Sequence, residues 1–255
     1  MTAQELFKAG KLGDAITALN TQLRDNPADK RGRTFLFELL CFSGDFDRAE
    51  KQLNILEQDG EKDSMLATLL YKTALAGERM REGMFEKKTF PIQAVNGKTV
   101  HVRGKLNGKE FNMLSDADPR IGPKLELFAA GDYLWISFED ISSIHIEPPK
   151  RLRDLFWIPA KVGTGPSFRS RDLGEILLPA LSPLSWQHSD DEVKLGRVTE
   201  WCEDEQGDVA PFGQKNLLVD GEEFPLLEVR ELFIYSAAGS APVEEPDEEL
   251  DHDVQ

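Results

Sequence analysis

Any nucleophilic or zinc chemistry in this chain has to draw on four histidines and two cysteines: His101, His145, His188, His252, Cys41 and Cys202. None of them belongs to an HExxH, a CxxC or any short ligand spacing, so neither a tetrahedral metal site nor a base-activated thiol is written in the sequence. His145 sits in Ile144-His-Ile146, where alternation turns its imidazole away from the isoleucines and toward solvent. Cys41, inside an apolar helical stretch, and Cys202, beside Trp201, read as buried free thiols of a reducing compartment. The piece Val162-Gly-Thr-Gly-Pro166 lacks the lysine and the helix start that would cradle phosphate, and reads as a turn. Asp190-Asp-Glu192 and Glu203-Asp-Glu205 lack the alternation of a calcium loop and read as solvated loops. Trp135, Trp157, Trp186 and Trp201 lie in apolar stretches without interleaved Lys or Arg, which suits core packing or a protein interface better than base stacking. One polar set, Arg153, Asp154, Arg197 and Glu200, could form a hydrolase-like small-molecule site or simply maintain the fold.

The elements that position these residues divide the chain. Its 255 residues carry a net charge of −16, but residues 1–150 are nearly neutral, with 21 basic and 23 acidic side chains. Residues 151–235 hold 9 basic and 16 acidic groups, and residues 236–255 hold 7 acidic and no basic ones. A field of that sign repels phosphate backbones, so nucleic acid is not an expected partner. The start, Met1-Thr-Ala-Gln-Glu, has no basic region leading into an apolar one, and no run of about 18 apolar residues follows anywhere. Both features predict a cytoplasmic protein with no membrane association.

The strongest internal signal is a repeat. Ala9-Gly-Lys-Leu-Gly-Asp-Ala15-Ile-Thr-Ala-Leu19-Asn20 recurs 34 residues later as Ser43-Gly-Asp-Phe-Asp-Arg-Ala49-Glu-Lys-Gln-Leu53-Asn54. That period belongs to the helix-turn-helix tetratricopeptide unit. Gly10 and Gly44 fall where a first helix must turn, Ala15 and Ala49 where two helices approach closely, and Leu12, Leu19, Phe46 and Leu53 on the buried stripe. Arg33–Phe42 reads as the first helix of the second unit and Ser64–Phe85 as a long helix capping the stack.

Near Thr89-Phe-Pro91 the helical spacing gives way to short β-branched and aromatic runs. Candidate strands are Lys124–Phe128, Tyr133–Phe138, Ile141–Ile146, Phe156–Val162, Glu175–Leu181, Lys194–Val198, Lys215–Val219 and Leu226–Tyr235. The fold class predicted is α+β: a tetratricopeptide-like module over residues 1–88, then a β-rich domain over 89–235, either a small barrel or a mixed sheet, with a possible subdivision near 150. Residues 236–255 read as a disordered acidic tail.

Asp116-Ala-Asp-Pro-Arg-Ile-Gly122, Trp135-Ile-Ser-Phe-Glu139, Glu147-Pro-Pro-Lys-Arg-Leu-Arg-Asp-Leu155, Leu177-Leu-Pro-Ala-Leu181, Leu195-Gly-Arg-Val-Thr-Glu-Trp201 and Gly213-Gln-Lys-Asn-Leu-Leu-Val219, in this order, resemble the ImpE/SciE/TagJ family of type VI secretion accessory proteins. The resemblance runs over nearly the whole chain. It implies a non-catalytic adaptor without cofactor, whose helical part contacts the small sheath subunit and links it to the AAA+ ATPase that recycles contracted sheath. It supplies no catalytic residue to transfer.

Stacked first helices of such repeats present a groove that receives a peptide or helix. In the register of the repeat, Arg31, Thr34, Glu38 and Phe42, with Lys72 and Leu75 from the third helix, face that groove. Arg31, Glu38, Phe42 and Lys72 are the partner-binding residues expected from the sequence, while Phe42 and Leu75 could equally fill the core.

Overall fold

A computed structural model describes residues 1–58, 62–90, 102–129, 131–165, 173, 176–204 and 206–235, with backbone alone for 62–66. The tail, His101, His252, Pro166 and Glu205 lie outside the described residues.

Five helices open the chain: α1 (Ala3–Lys8), α2 (Leu12–Asp25), α3 (Lys30–Phe42), α4 (Phe46–Glu57) and α5 (Lys62–Glu86). Their starts follow capping chemistry. Thr2 and Glu5 form a reciprocal capping box, and Asp29 and Asp45 accept from the backbone N–H of Gly32 and Arg48 at 2.9 and 3.3 Å. The two repeat turns are closed by Gly10 and Gly44 at φ +71° and +72°, a left-handed conformation that a side chain strains. Ala15 and Ala49 are fully buried where the helices of each pair meet.

The β-rich part contains an eight-stranded sheet in the order β2 (Lys109–Phe111), β1 (Gly104–Leu106), β13 (Glu231–Ile234), β6 (Ile141–Ile146), β7 (Trp157–Thr164), β8 (Ile176–Pro179), β4 (Lys124–Ala129), β5 (Asp132–Ser137). Every pairing in it is antiparallel. Beside it lie a sheet of β12 (Glu222–Pro225), β11 (Asn216–Val219) and β3 (Leu114–Asp116), and a ribbon of β9 (Thr199–Glu203) and β10 (Val209–Gly213). Two-residue periodicity gives the large sheet two apolar faces. On one, Leu125, Leu127, Ile136, Ile144, Ile158, Leu178 and Leu232 form a core of their own. On the other, Phe128, Trp157 and Leu177 join a core that runs without a break into Leu36, Leu39, Leu40 and Leu75 of the helices.

Three expectations fail locally. Lys194–Val198 is not a strand: Asp190 caps a helical turn, α6 (Asp191–Lys194), and Gly196 at φ +67° ends it. In Leu226–Tyr235, a 3-10 turn at Leu226–Glu228 precedes a single strand. Val162-Gly-Thr164 is the end of β7 instead of a turn.

Candidate functional site

The face of α3 that carries Glu38 and Phe42 is covered by the chain itself. After β6, Asp154 accepts from the backbone N–H of Lys150 and Arg151 at 2.8 and 2.9 Å and folds Leu152–Leu155 into a 3-10 turn. That turn delivers Arg153, Phe156 and Trp157 onto α3 and α5. Phe156 meets Phe42 edge-on at 5.3 Å, and Trp157 stacks on Tyr71 at 6.2 Å. Arg153 reaches Glu38 at 3.4 Å with its guanidinium 5.0 Å from the centre of the Tyr71 ring.

Phe42 is therefore 1% exposed and Glu38 8%, and neither is a free groove residue. Phe42 takes the core alternative left open for it, and Glu38 is buried beside it: periodicity identifies the face of α3 that is apolar, but not the element that covers it. Leu75 is buried in the same core. Burial pushes the Glu38 carboxyl up, against the opposing charge of Arg153. Arg31 is exposed in the first turn of α3, and Lys72 is half-buried with its ammonium 2.5 Å from Glu57 of α4. The four residues do not form one surface.

Below this seam lies an ionic joint between α5 and the sheet. Arg81 donates through Nε and Nη2 to both oxygens of Glu126 on β4, at 2.9 and 3.1 Å, and through Nη1 to Glu78 at 2.8 Å. Lys215 stands 2.6 Å from both Glu126 and Asp116. The indole N–H groups of Trp157 and Trp186 donate to Glu78 and Glu82, each at 2.8 Å. Every ionic side chain here is under a tenth exposed. Four carboxylates face two cations, so full ionisation would leave uncompensated negative charge in a dry interface. Burial and the neighbouring Glu78 accordingly raise Glu82 to about 8. Burial raises Asp116 to about 7 despite Lys215, whereas Arg81 and Lys215 overcome burial at Glu126 and hold it well below the ordinary carboxylate range. Gly77 permits the approach, because a Cβ there would lie 2.6 Å from Phe128.

The segment Ser182–Arg197 clips the repeat turns from outside. The start of α2 has no cap of its own, and Asp191 supplies one, accepting from the N–H groups of Leu12 and Gly13 at 2.8 and 3.4 Å. Arg197 donates to the last carbonyls of α1, Phe7 at 2.6 Å and Lys8 at 3.4 Å, and covers the Phe7 ring at 5.0 Å. Trp186 packs where a Cβ on Gly44 would lie 2.4 Å from its ring. The run Asp190-Asp-Glu192 is thus a helix-capping device and not a solvated loop. Asp204 of the second acidic run pairs with Lys88 at 2.6 Å.

The four residues of the enzymatic alternative are dispersed among these jobs. Arg153 and Asp154 build the groove seam, Arg197 caps α1, and Glu200 sits 3.4 Å from His188. Among the described residues no group of three His, Cys, Asp or Glu is placed to hold a metal ion. An open depression of about 860 Å³ beside β6 and β7 is lined by His145, Lys161, Arg230 and Glu231, with Asp154 committed to backbone N–H groups at its edge. His145 is turned away from its isoleucine neighbours, its ring edge-on to Phe233 at 5.4 Å. Cys41 is buried, Cys202 is half-buried, and Trp201 is 42% exposed on its ribbon.

Residues 108–233 match the family described as ImpE protein, and residues 6–72 match the tetratricopeptide repeat. The type VI secretion system accessory component TagJ of Pseudomonas aeruginosa is 32% identical over 264 aligned positions, which cover 91% of this chain and 90% of that protein. The crystal structure of protein VPA1032 from Vibrio parahaemolyticus superimposes with a TM-score of 0.79 over 92% of this chain and 97% of that one, at 20% identity, a likeness of fold.

Proposed function

The chain belongs to the ImpE protein family, and from that premise we propose that it is a non-catalytic adaptor of a type VI secretion system, acting in the cytoplasm. It holds a helix of the small sheath subunit and links that subunit to the AAA+ ATPase that recycles the sheath. The observation that carries this reading is the extent of the match to the accessory component TagJ, which runs through both the helical repeats and the sheet at 91% coverage. Physical features support it. Arg81, Arg153 and Arg197 are committed to joining the two parts, and no helix among the described residues is long and apolar enough to cross a membrane.

The test is co-purification of an untagged type VI small sheath subunit and sheath-recycling ATPase of the same organism on the tagged full chain. Retention of the sheath subunit with or without the ATPase supports the adaptor reading. Retention of neither, from a soluble and folded chain, contradicts it.

A further inference from the structure

Among the described residues, neither the repeats nor the sheet covers the outer face of α5. Tyr71, Leu75, Glu78 and Glu82, spaced by four, three and four residues, are buried. Leu69, Thr73, Ala76 and Met80 repeat that spacing two residues out of phase, which puts them on the opposite side of the helix. Leu69 is 56% and Met80 64% exposed, and among the described residues only Met1 is a more exposed large hydrophobic. No charged residue interrupts the stripe.

The stripe lies in a valley with two walls. One wall is α4, tied on by Arg79 to Asp47 and Glu50 at 3.0 and 2.8 Å, and by Lys72 to Glu57. The other is the turn between β4 and β5, where a Cβ on Gly131 would lie 3.7 Å from Thr73. Small side chains occupy the middle of the valley and large ones its ends. Among the described residues α2, α3 and α4 each pack between their two neighbours in the stack, whereas α5 ends the stack with α4 on one flank.

Resting on the adaptor reading, we propose that this valley seats an amphipathic helix of the partner, continuing the stack that α5 leaves open. A stripe with this spacing over three turns meets the ridge of a second helix, and does not match the two-residue repeat of a strand. Charge fixes the occupant further. Asp47 and Glu50 share the single guanidinium of Arg79, which leaves one wall net negative with the Asp47 side chain 87% exposed, and Asp132 is exposed on the other. The docked helix therefore carries basic residues beside its apolar stripe, complementing both walls.

The test compares the full-length wild type with Leu69→Glu/Met80→Glu. Both positions face solvent, so circular dichroism and a thermal melt should match the wild type. The probes are the purified small sheath subunit and synthetic peptides of its helices, titrated by calorimetry. The expected result is binding to the wild type, strongest for a basic amphipathic peptide, and weakening of about 10-fold or more in the variant, with a smaller loss in Asp47→Lys. Equal binding by wild type and variant would overturn the valley as the seat while leaving the adaptor role standing. No binding by the wild type would remove the adaptor reading and this seat together. A wild-type dimer in sedimentation that the double variant dissolves would assign the valley to a second copy of the chain, overturning the proposal.

Discussion

Arg81 of α5 grips both carboxylate oxygens of Glu126 on β4, at 2.9 and 3.1 Å, with the residues 1% and 0% exposed. The helical module and the sheet are joined through this contact. Arg81→Met removes one of the two cations holding four buried carboxylates, and breaking such a pair costs about 3–5 kcal/mol. Urea denaturation of the variant should show a loss of that order. A loss below about 1 kcal/mol would mean that the joint is solvated.

The same joint makes stability depend on pH in a definite direction. Glu82 is raised to about 8 and Asp116 to about 7, so the fold favours their neutral forms over the unfolded chain. That preference is fully present below the ordinary carboxylate range and is lost as pH rises through 7 and 8. The denaturation midpoint should fall between pH 6 and pH 9, and Glu82→Gln should flatten the fall. Glu126 acts the other way, its depressed value withdrawing stability as pH falls below the ordinary carboxylate range. An unchanged slope in Glu82→Gln would refute the assignment.

Phe42→Ala tests the filled groove. Removal of a buried phenylalanine costs about 3–5 kcal/mol of folding free energy, whereas a free groove anchor would leave folding almost untouched. The melt should show the large loss, because Phe42 packs on Phe156.

Gly77→Ala inverts a simple propensity argument. In an open helix the change stabilises by about 1 kcal/mol. Here the added Cβ would lie 2.6 Å from the Phe128 ring, so α5 must move off the sheet and the variant should be less stable than wild type. A gain in midpoint would show that Phe128 yields freely.

Asp191→Ala removes a cap supplied from 179 residues away. A loss of about 1 kcal/mol is expected, the ordinary value for a helix N-cap, with weakened amide protection in α2. No change in α2 would show that water replaces the carboxylate there.

The repeat was legible because glycine at φ +71° and +72° and alanine at the helix contact are dictated locally, and local demands recur at a fixed period. The strand Ile141–Ile146 was legible from two-residue alternation. Strands of three residues, such as β1, β2 and β3, are too short to show a period. The joint was invisible because its partners are scattered, Arg81 lying 45 residues from Glu126 and Lys215 a further 89 away. One signal did point to it: Glu126 interrupts the apolar run Leu125–Ala129, and Glu78 and Glu82 fall on the stripe of Tyr71 and Leu75. Covering of the groove by residues 152–157 is a tertiary event that no helical period reports.

The chain itself covers the face of α3 that carries Glu38 and Phe42, and the seat proposed for the partner is the outer face of α5. Hydrogen–deuterium exchange of the full chain, with and without the small sheath subunit, addresses both statements in one measurement. New protection across Leu69–Met80, with Glu38–Phe42 and residues 152–157 unchanged, is the result predicted. Protection or opening at Glu38–Phe42 and 152–157, with Leu69–Met80 unaffected, would contradict it.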